Sequence, residues 1–200
     1  MNNYEKIINF ISEKSNTIKI FDFKEAKISF YYINKLIEDN YITRIGRGLY
    51  RKSNSFSDDY FIIQNRYKNA VFSFNTALFF LNKTEVTPSI IDITIPNDYN
   101  VKSINTSQIK VHYTSRENIN LGVIKIISPF GNKIKSYNLE RTICDIVKNK
   151  NKCGLDIEQR NKIIRESFIN GNINVTTIIQ YAKKLKCEKK IRAIMEVMLW

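Results

Sequence analysis

Tyr4, Ile7, Ile8 and Ile11 recur at i, i+3, i+4 and i+7 within the charged stretch YEKIINFISEK, and this spacing predicts an amphipathic helix over residues 4–14. Asp22 followed three residues later by Glu25 reads as the N-cap of a short second helix, with Phe23 and Ala26 turned inward. Ser29 then caps a third helix running to Asp39. In that helix Phe30, Ile33, Leu36 and Ile37 form the buried stripe, and Tyr31, Tyr32, Asn34 and Lys35 lie outward. At Tyr41 the period changes. The run YITRIGRGLYRK alternates about Gly-Arg-Gly, with Ile42 and Ile45 before the corner and Leu49 after it, and Gly46 and Gly48 permit the positive φ angles of a tight β-hairpin. Arg47 falls at its tip, near Arg44, Arg51 and Lys52.

Two helices joined by a short turn and followed at once by a β-ribbon have the order of a winged helix-turn-helix. In that architecture the third helix enters a major groove and the hairpin is the wing, whose cations meet phosphates or a minor groove. The candidate DNA-binding set is therefore Ser29, Tyr31, Tyr32, Asn34 and Lys35 on the helix, with Arg44, Arg47, Arg51 and Lys52 on the wing. The polar stretch Ser53-Asn-Ser-Phe-Ser marks a boundary near residue 55, giving domains 1–55 and 56–200.

Beyond the boundary, Asp58 opens a helix carrying Tyr60, Phe61, Ile63 and Tyr67 and ending near Asn69. Ser73 or Asn75 can cap a short buried helix in the apolar run that begins at Phe72. Strands are predicted at residues 90–96, with Ile91, Ile93 and Ile95 on one face, and at 109–114, 121–128 and 133–137, with Pro129-Phe-Gly-Asn as a turn. They would form a small, mainly antiparallel sheet at about 90–137. From Asn138 the period is helical again, over 139–147, 157–169, 175–185 and 188–199, with Asn170-Gly171-Asn172 as a stop and Asn174 as a cap. The fold class is thus α+β: a winged helix-turn-helix, then a larger domain with this sheet and a C-terminal helical bundle over 138–199.

Charge sharpens the picture. Lys and Arg number 32 against 19 Asp and Glu, a net +13 that favours a polyanionic partner. Residues 1–55 carry ten cations and six anions, 56–115 five of each, and 116–200 seventeen and eight, so the excess sits at the two ends. Lys183, Lys184, Lys186, Lys189, Lys190 and Arg192 concentrate part of it across the last helix pair, as either a solvated face or a docking patch for an acidic partner or nucleic acid. No apolar run of about eighteen residues and no cleavable leader pattern occur, so a cytoplasmic protein without a membrane segment is expected.

Cys144, Cys153 and Cys187 are too far apart in sequence for a zinc motif, and neither a disulfide framework nor a metal site is expected. His112 is alone on its strand, Asp92, Asp98, Glu117 and Asp145 are scattered, and phosphate-loop glycines are missing. No catalytic residue and no cofactor are therefore assigned. Two alternatives remain beside a DNA-binding regulator: a nucleic-acid-modifying enzyme using acids such as Asp92 and Asp98, and an effector-responsive winged-helix regulator.

The run RIGRGLY at 44–50, the segment VFSFNTALFFLNKTEVTPSIIDITIP at 71–96 and the later NLERTICDIV at 138–147 resemble the AbiEi family of antitoxins from abortive-infection, type IV toxin-antitoxin systems. That resemblance implies a non-enzymatic antitoxin in phage defence. Its N-terminal winged domain would bind inverted repeats in double-stranded operator DNA and repress its own operon. Its C-terminal domain would counteract a nucleotidyltransferase-like toxin without a stable complex. One departure is that helix three is poor in arginine, which leaves Asn34 and Lys35 to carry more of the base readout.

Overall fold

The hairpin expected at residues 41–52 is present, and it carries a third strand that the pattern of residues did not reveal. The computed structural model describes residues 3–99, 107–170 and 172–198. The chain divides into two compact units, one made of Met1–Lys68 with Ile127–Ile134, the other of Asn69–Ile126 with Lys135–Trp200.

The first unit runs α1 (Asn3–Glu13), β1 (Thr17–Lys19), α2 (Ile20–Glu25), α3 (Phe30–Glu38), β2 (Ile42–Gly46), β3 (Leu49–Lys52) and α4 (Asp59–Arg66). The three strands form an antiparallel sheet in the order β1-β3-β2. β1 is three residues long, too short to show alternation, and exists because it pairs with the free edge of β3, Ile18 opposite Tyr50. Ile7, Ile11, Ile18, Phe23, Ile33, Leu36, Ile42 and Tyr50 build the core of this unit.

Three expectations are corrected here. Asp22 is the third residue of α2 and not its N-cap; the helix leaves β1 directly, and the Asp22 carboxylate reaches back to accept from the Lys19 N–H at 2.7 Å. Ala26 is the exposed C-cap of α2. Phe30 is 62% exposed, because side chains on a helix lean toward its N-terminus and the first residue leans past the end of its own helix.

Of the two hairpin glycines, only Gly48 uses a positive φ, +69°. A Cβ there would also come within 2.9 Å of Ile20 Cγ2, whereas at Gly46 it would meet only Leu49 at 3.8 Å. Gly48→Ala should therefore cost about 1–2 kcal/mol, while Gly46→Ala should change stability by less than about 1 kcal/mol. Paired urea melts of the two variants check this; equal costs would refute the asymmetry.

α4 belongs to the first unit although the boundary read from sequence lies before it. Asp58 caps it, accepting from Phe61 N–H at 3.0 Å, and the other carboxylate oxygen accepts from Ser128 and Asn132 in the 127–134 segment at 2.6 and 2.7 Å. These buried bonds, made across some seventy residues, have no local signature.

The second unit contains β4 (Val71–Phe72), α5 (Phe74–Phe80), β5 (Ile91–Pro96), β6 (Ile109–Thr114), β7 (Val123–Ile127), β8 (Lys133–Tyr137), α6 (Leu139–Lys148), a 3-10 turn (Lys150–Lys152), α7 (Ile157–Ile169), α8 (Val175–Lys184) and α9 (Glu188–Met198). The ends of β7 and β8 and the turn between them fall in the first unit's 127–134 segment. The strand order is β6-β5-β4-β8-β7. This sheet is mixed, not mainly antiparallel: β5–β6 and β4–β8 run parallel, and β4–β5 runs antiparallel. The reason is β4, two buried residues inserted between β5 and β8, together with a β5–β6 connection of a dozen residues, enough for a parallel crossover.

Of the C-terminal helices, α7, α8 and α9 bury one face each, and α6 is buried on nearly every side. Ile143, Ile146, Phe168, Ile178 and Ile191 meet in a single core with Leu78 of α5. Asn138, Asp156 and the expected Asn174 cap α6, α7 and α8 through their side chains. α7 ends at Asn170, as expected; Gly171 and Leu199 lie outside the described residues. All three cysteines are buried free thiols.

Candidate nucleic-acid interface

α3 is anchored by its inward residues and by an aromatic cluster on its flank. Ile33 and Leu36 are buried, and the Tyr32 ring lies at 6.2 Å from that of Tyr4 and edge-on to Tyr31 at 5.3 Å. Tyr4 in turn donates its hydroxyl to Asp39, the C-cap of α3, and accepts the Lys35 ammonium over its ring at 4.6 Å. Burial, reinforced by the Asp39 carboxylate, pushes the Tyr4 phenol well up, so this donor persists at every ordinary pH. Tyr32 and Lys35 are thus partly engaged in holding α3. Ser29, Tyr31 and Asn34 are exposed, and so is Phe30, which sequence reasoning had placed inside. Ser29 occupies the N-cap position without making a side-chain cap bond.

The hairpin cations divide in the same way. Arg44 and Arg47 are exposed, with only a long 3.4 Å contact from Arg44 Nε to Gly46 O. Arg51, half-buried opposite Thr17 and Thr43, keeps a buried Nε that no protein atom satisfies. Lys52 turns away from such a role: its ammonium donates to Ser12 O and Lys14 O at 2.8 and 2.6 Å, satisfying the C-terminal end of α1. None of the four pairs with a carboxylate among the described residues.

Sequence reasoning missed part of the basic surface. A groove of about 730 Å³ beside the hairpin tip is lined by Lys19, Arg47, Arg66 and Lys68, with Ile20 and Phe21 between them and no carboxylate. Lys19 belongs to the unseen β1, and Arg66 and Lys68 stand beyond the expected boundary, so nothing local connected them to Arg47. A groove lined by one sign of charge over apolar walls concentrates its field on an anionic ligand.

In the second unit, Lys183, Lys184, Lys186, Lys189, Lys190 and Arg192 are all exposed on α8, α9 and the turn between them, with Ile178, Leu185 and Ile191 buried on the inward side. Arg192 pairs with Glu188 at 2.8 Å. The acids are less scattered than expected. Asp92 meets His112 at 2.6 Å, Asp145 meets Arg141 at 2.9 Å, and Asp98 forms an exposed pair with Arg116. No cluster of three or more potential metal ligands occurs among the described residues, and none of their helices is long and apolar enough to cross a membrane.

No curated protein matches the chain. The fold is similar to that of the RV2827C protein from Mycobacterium tuberculosis, known from a crystal structure, with a TM-score of 0.54 and 11% identity over 98% of this chain and 82% of that one. At that identity the likeness concerns the fold alone. Residues 5–51, running from α1 into β3, match the family model described as "Transcriptional regulator, AbiEi antitoxin". By that match residues 5–51 of this chain are similar to the AbiEi antitoxin family of transcriptional regulators.

Proposed function

We propose that the first unit is a winged helix-turn-helix that binds inverted repeats in its own operator, and that the whole chain is an antitoxin acting by binding and not by catalysis. The observation that carries the DNA-binding reading is the pair Arg44 and Arg47, exposed on the β2–β3 hairpin with no carboxylate partner among the described residues and beside a groove lined by further cations. Phosphates would be met by Arg44 and Arg47, and bases by the exposed outer side of α3 through Tyr31 and Asn34. Opposition to a nucleotidyltransferase-like toxin without a stable complex follows the family likeness, and the exposed basic face of α8 and α9 is its candidate surface.

The test is fluorescence anisotropy with a labelled duplex from upstream of the gene, beside a scrambled duplex. Asn34→Ala is expected to lower operator affinity by about 1–3 kcal/mol while leaving binding to the scrambled duplex unchanged. Equal loss on both duplexes would remove α3 from base readout. Failure to bind either duplex at low salt would remove the reading altogether. Rescue of growth on co-expression with an adjacently encoded toxin tests the antitoxin half.

A further inference from the structure

The second unit holds a cavity of about 90 Å³ lined by residues of α5, β5, β6 and α6. Three of its lining side chains are almost wholly buried. Thr94 is 3% exposed, and its hydroxyl makes no hydrogen bond. Arg141 is 1% exposed, and its Nε and Nη1 are bonded. His112 directs Nε2 to Asp92 at 2.6 Å. Because a carboxylate only accepts, Nε2 carries the hydrogen in this contact.

The imidazole is also clamped. Phe74 stacks on it with ring centroids 4.0 Å apart, from a backbone at φ 47°, a left-handed conformation that a bulky residue adopts only under constraint. A buried hydroxyl left without a partner, beside a buried guanidinium, is unfavourable unless a polar guest meets it. The space is smaller than the cavity of about 150 Å³ that admits a benzene ring, so an aromatic base is not enclosed. A tetrahedral anion is.

The charges around the imidazole come from every element that faces it: Asp92 on β5, Arg141, Asp145 and Lys148 on α6, and Lys152 on the 3-10 turn. Each acid has a basic partner, which leaves Lys148 and Lys152 in excess. Asp145 is the group least suited to an anion. Burial pushes its carboxyl up, against the lowering effect of Arg141, so its charge is the least firmly held.

We propose that this cavity binds a phosphate-class oxyanion, free or as the terminal phosphoryl group of a larger molecule, through the Thr94 hydroxyl, the Arg141 guanidinium and Lys148. The site is independent of the operator-binding surface, so either can fail alone.

Calorimetric titration of the full chain with inorganic phosphate tests it. Saturable one-site binding is expected, and an equal concentration of chloride should be inert. Thr94→Val should weaken binding about tenfold, and Lys148→Ala should weaken it at low salt; Lys148 is exposed, so that variant folds even if the first does not. A nucleoside 5′-monophosphate binding at least as tightly identifies a phosphoryl end as the natural guest, and weaker binding identifies the free anion. Absence of saturable heat, or wild-type affinity in both variants, overturns the proposal.

Discussion

Replacing Arg141 with methionine is expected to destabilise the second unit by about 3–5 kcal/mol, the cost of leaving a buried carboxylate without its counter-ion. Arg141 and Asp145 lie one turn apart on α6, almost wholly buried, at 2.9 Å. Nη1 donates to the carbonyls of Asn118 and Leu121 at 2.6 and 3.0 Å, and the guanidinium lies over the Tyr137 ring at 4.2 Å. Gly122 makes this approach possible: its φ is +77°, and a Cβ there would fall 2.6 Å from Arg141 Cβ. Methionine keeps the length of the stem and removes every one of these donors. In Arg141→Met/Asp145→Leu most of the loss should return, because no charge is then left buried. Urea denaturation followed by circular dichroism measures both; a single-variant cost below about 1 kcal/mol would refute the buried-charge account.

The same pair sets a pH dependence. The folded chain holds the Asp145 proton to higher pH than the unfolded chain, whose carboxyl titrates at the ordinary aspartate value of 3.8. Unfolding therefore releases a proton in that window, and this residue's contribution to stability falls as pH rises from 3.8 through the raised folded value. Arg141→Met removes the main lowering influence and should extend the fall to higher pH.

The second large effect is expected in binding. Arg44→Ala/Arg47→Ala should reduce operator affinity on the order of a hundredfold, since two charge-assisted phosphate contacts are lost. The slope of log K against log salt should flatten by about two units, and the loss should be the same on operator and scrambled duplexes, because phosphates carry no sequence. Neither arginine supports the fold: both are exposed and neither meets a carboxylate. The variant should therefore melt like the parent. An unchanged salt slope would show that the hairpin stays off the duplex.

Much of this was legible along the chain wherever the determining contacts are local. The buried positions Ile7, Ile11, Ile33 and Leu36 follow the helical period, β8 follows alternation, and Asn174 caps α8 because its oxygen needs only an N–H three residues on. The hairpin with Arg47 at its corner was equally visible, since Gly48 must take a left-handed turn. Tertiary structure alone decided the rest. β1 and β4 are three- and two-residue strands that exist only because a distant edge is there to pair with them. The engagement of Lys52 by the end of α1, the basic groove joining Lys19 to Arg66, and the meeting of His112 with Asp92 across two parallel strands all join residues twenty or more positions apart. A short-range pattern records which face of an element is apolar; it holds no record of which other element arrives to cover that face, and so the sites built between elements had to wait for the fold.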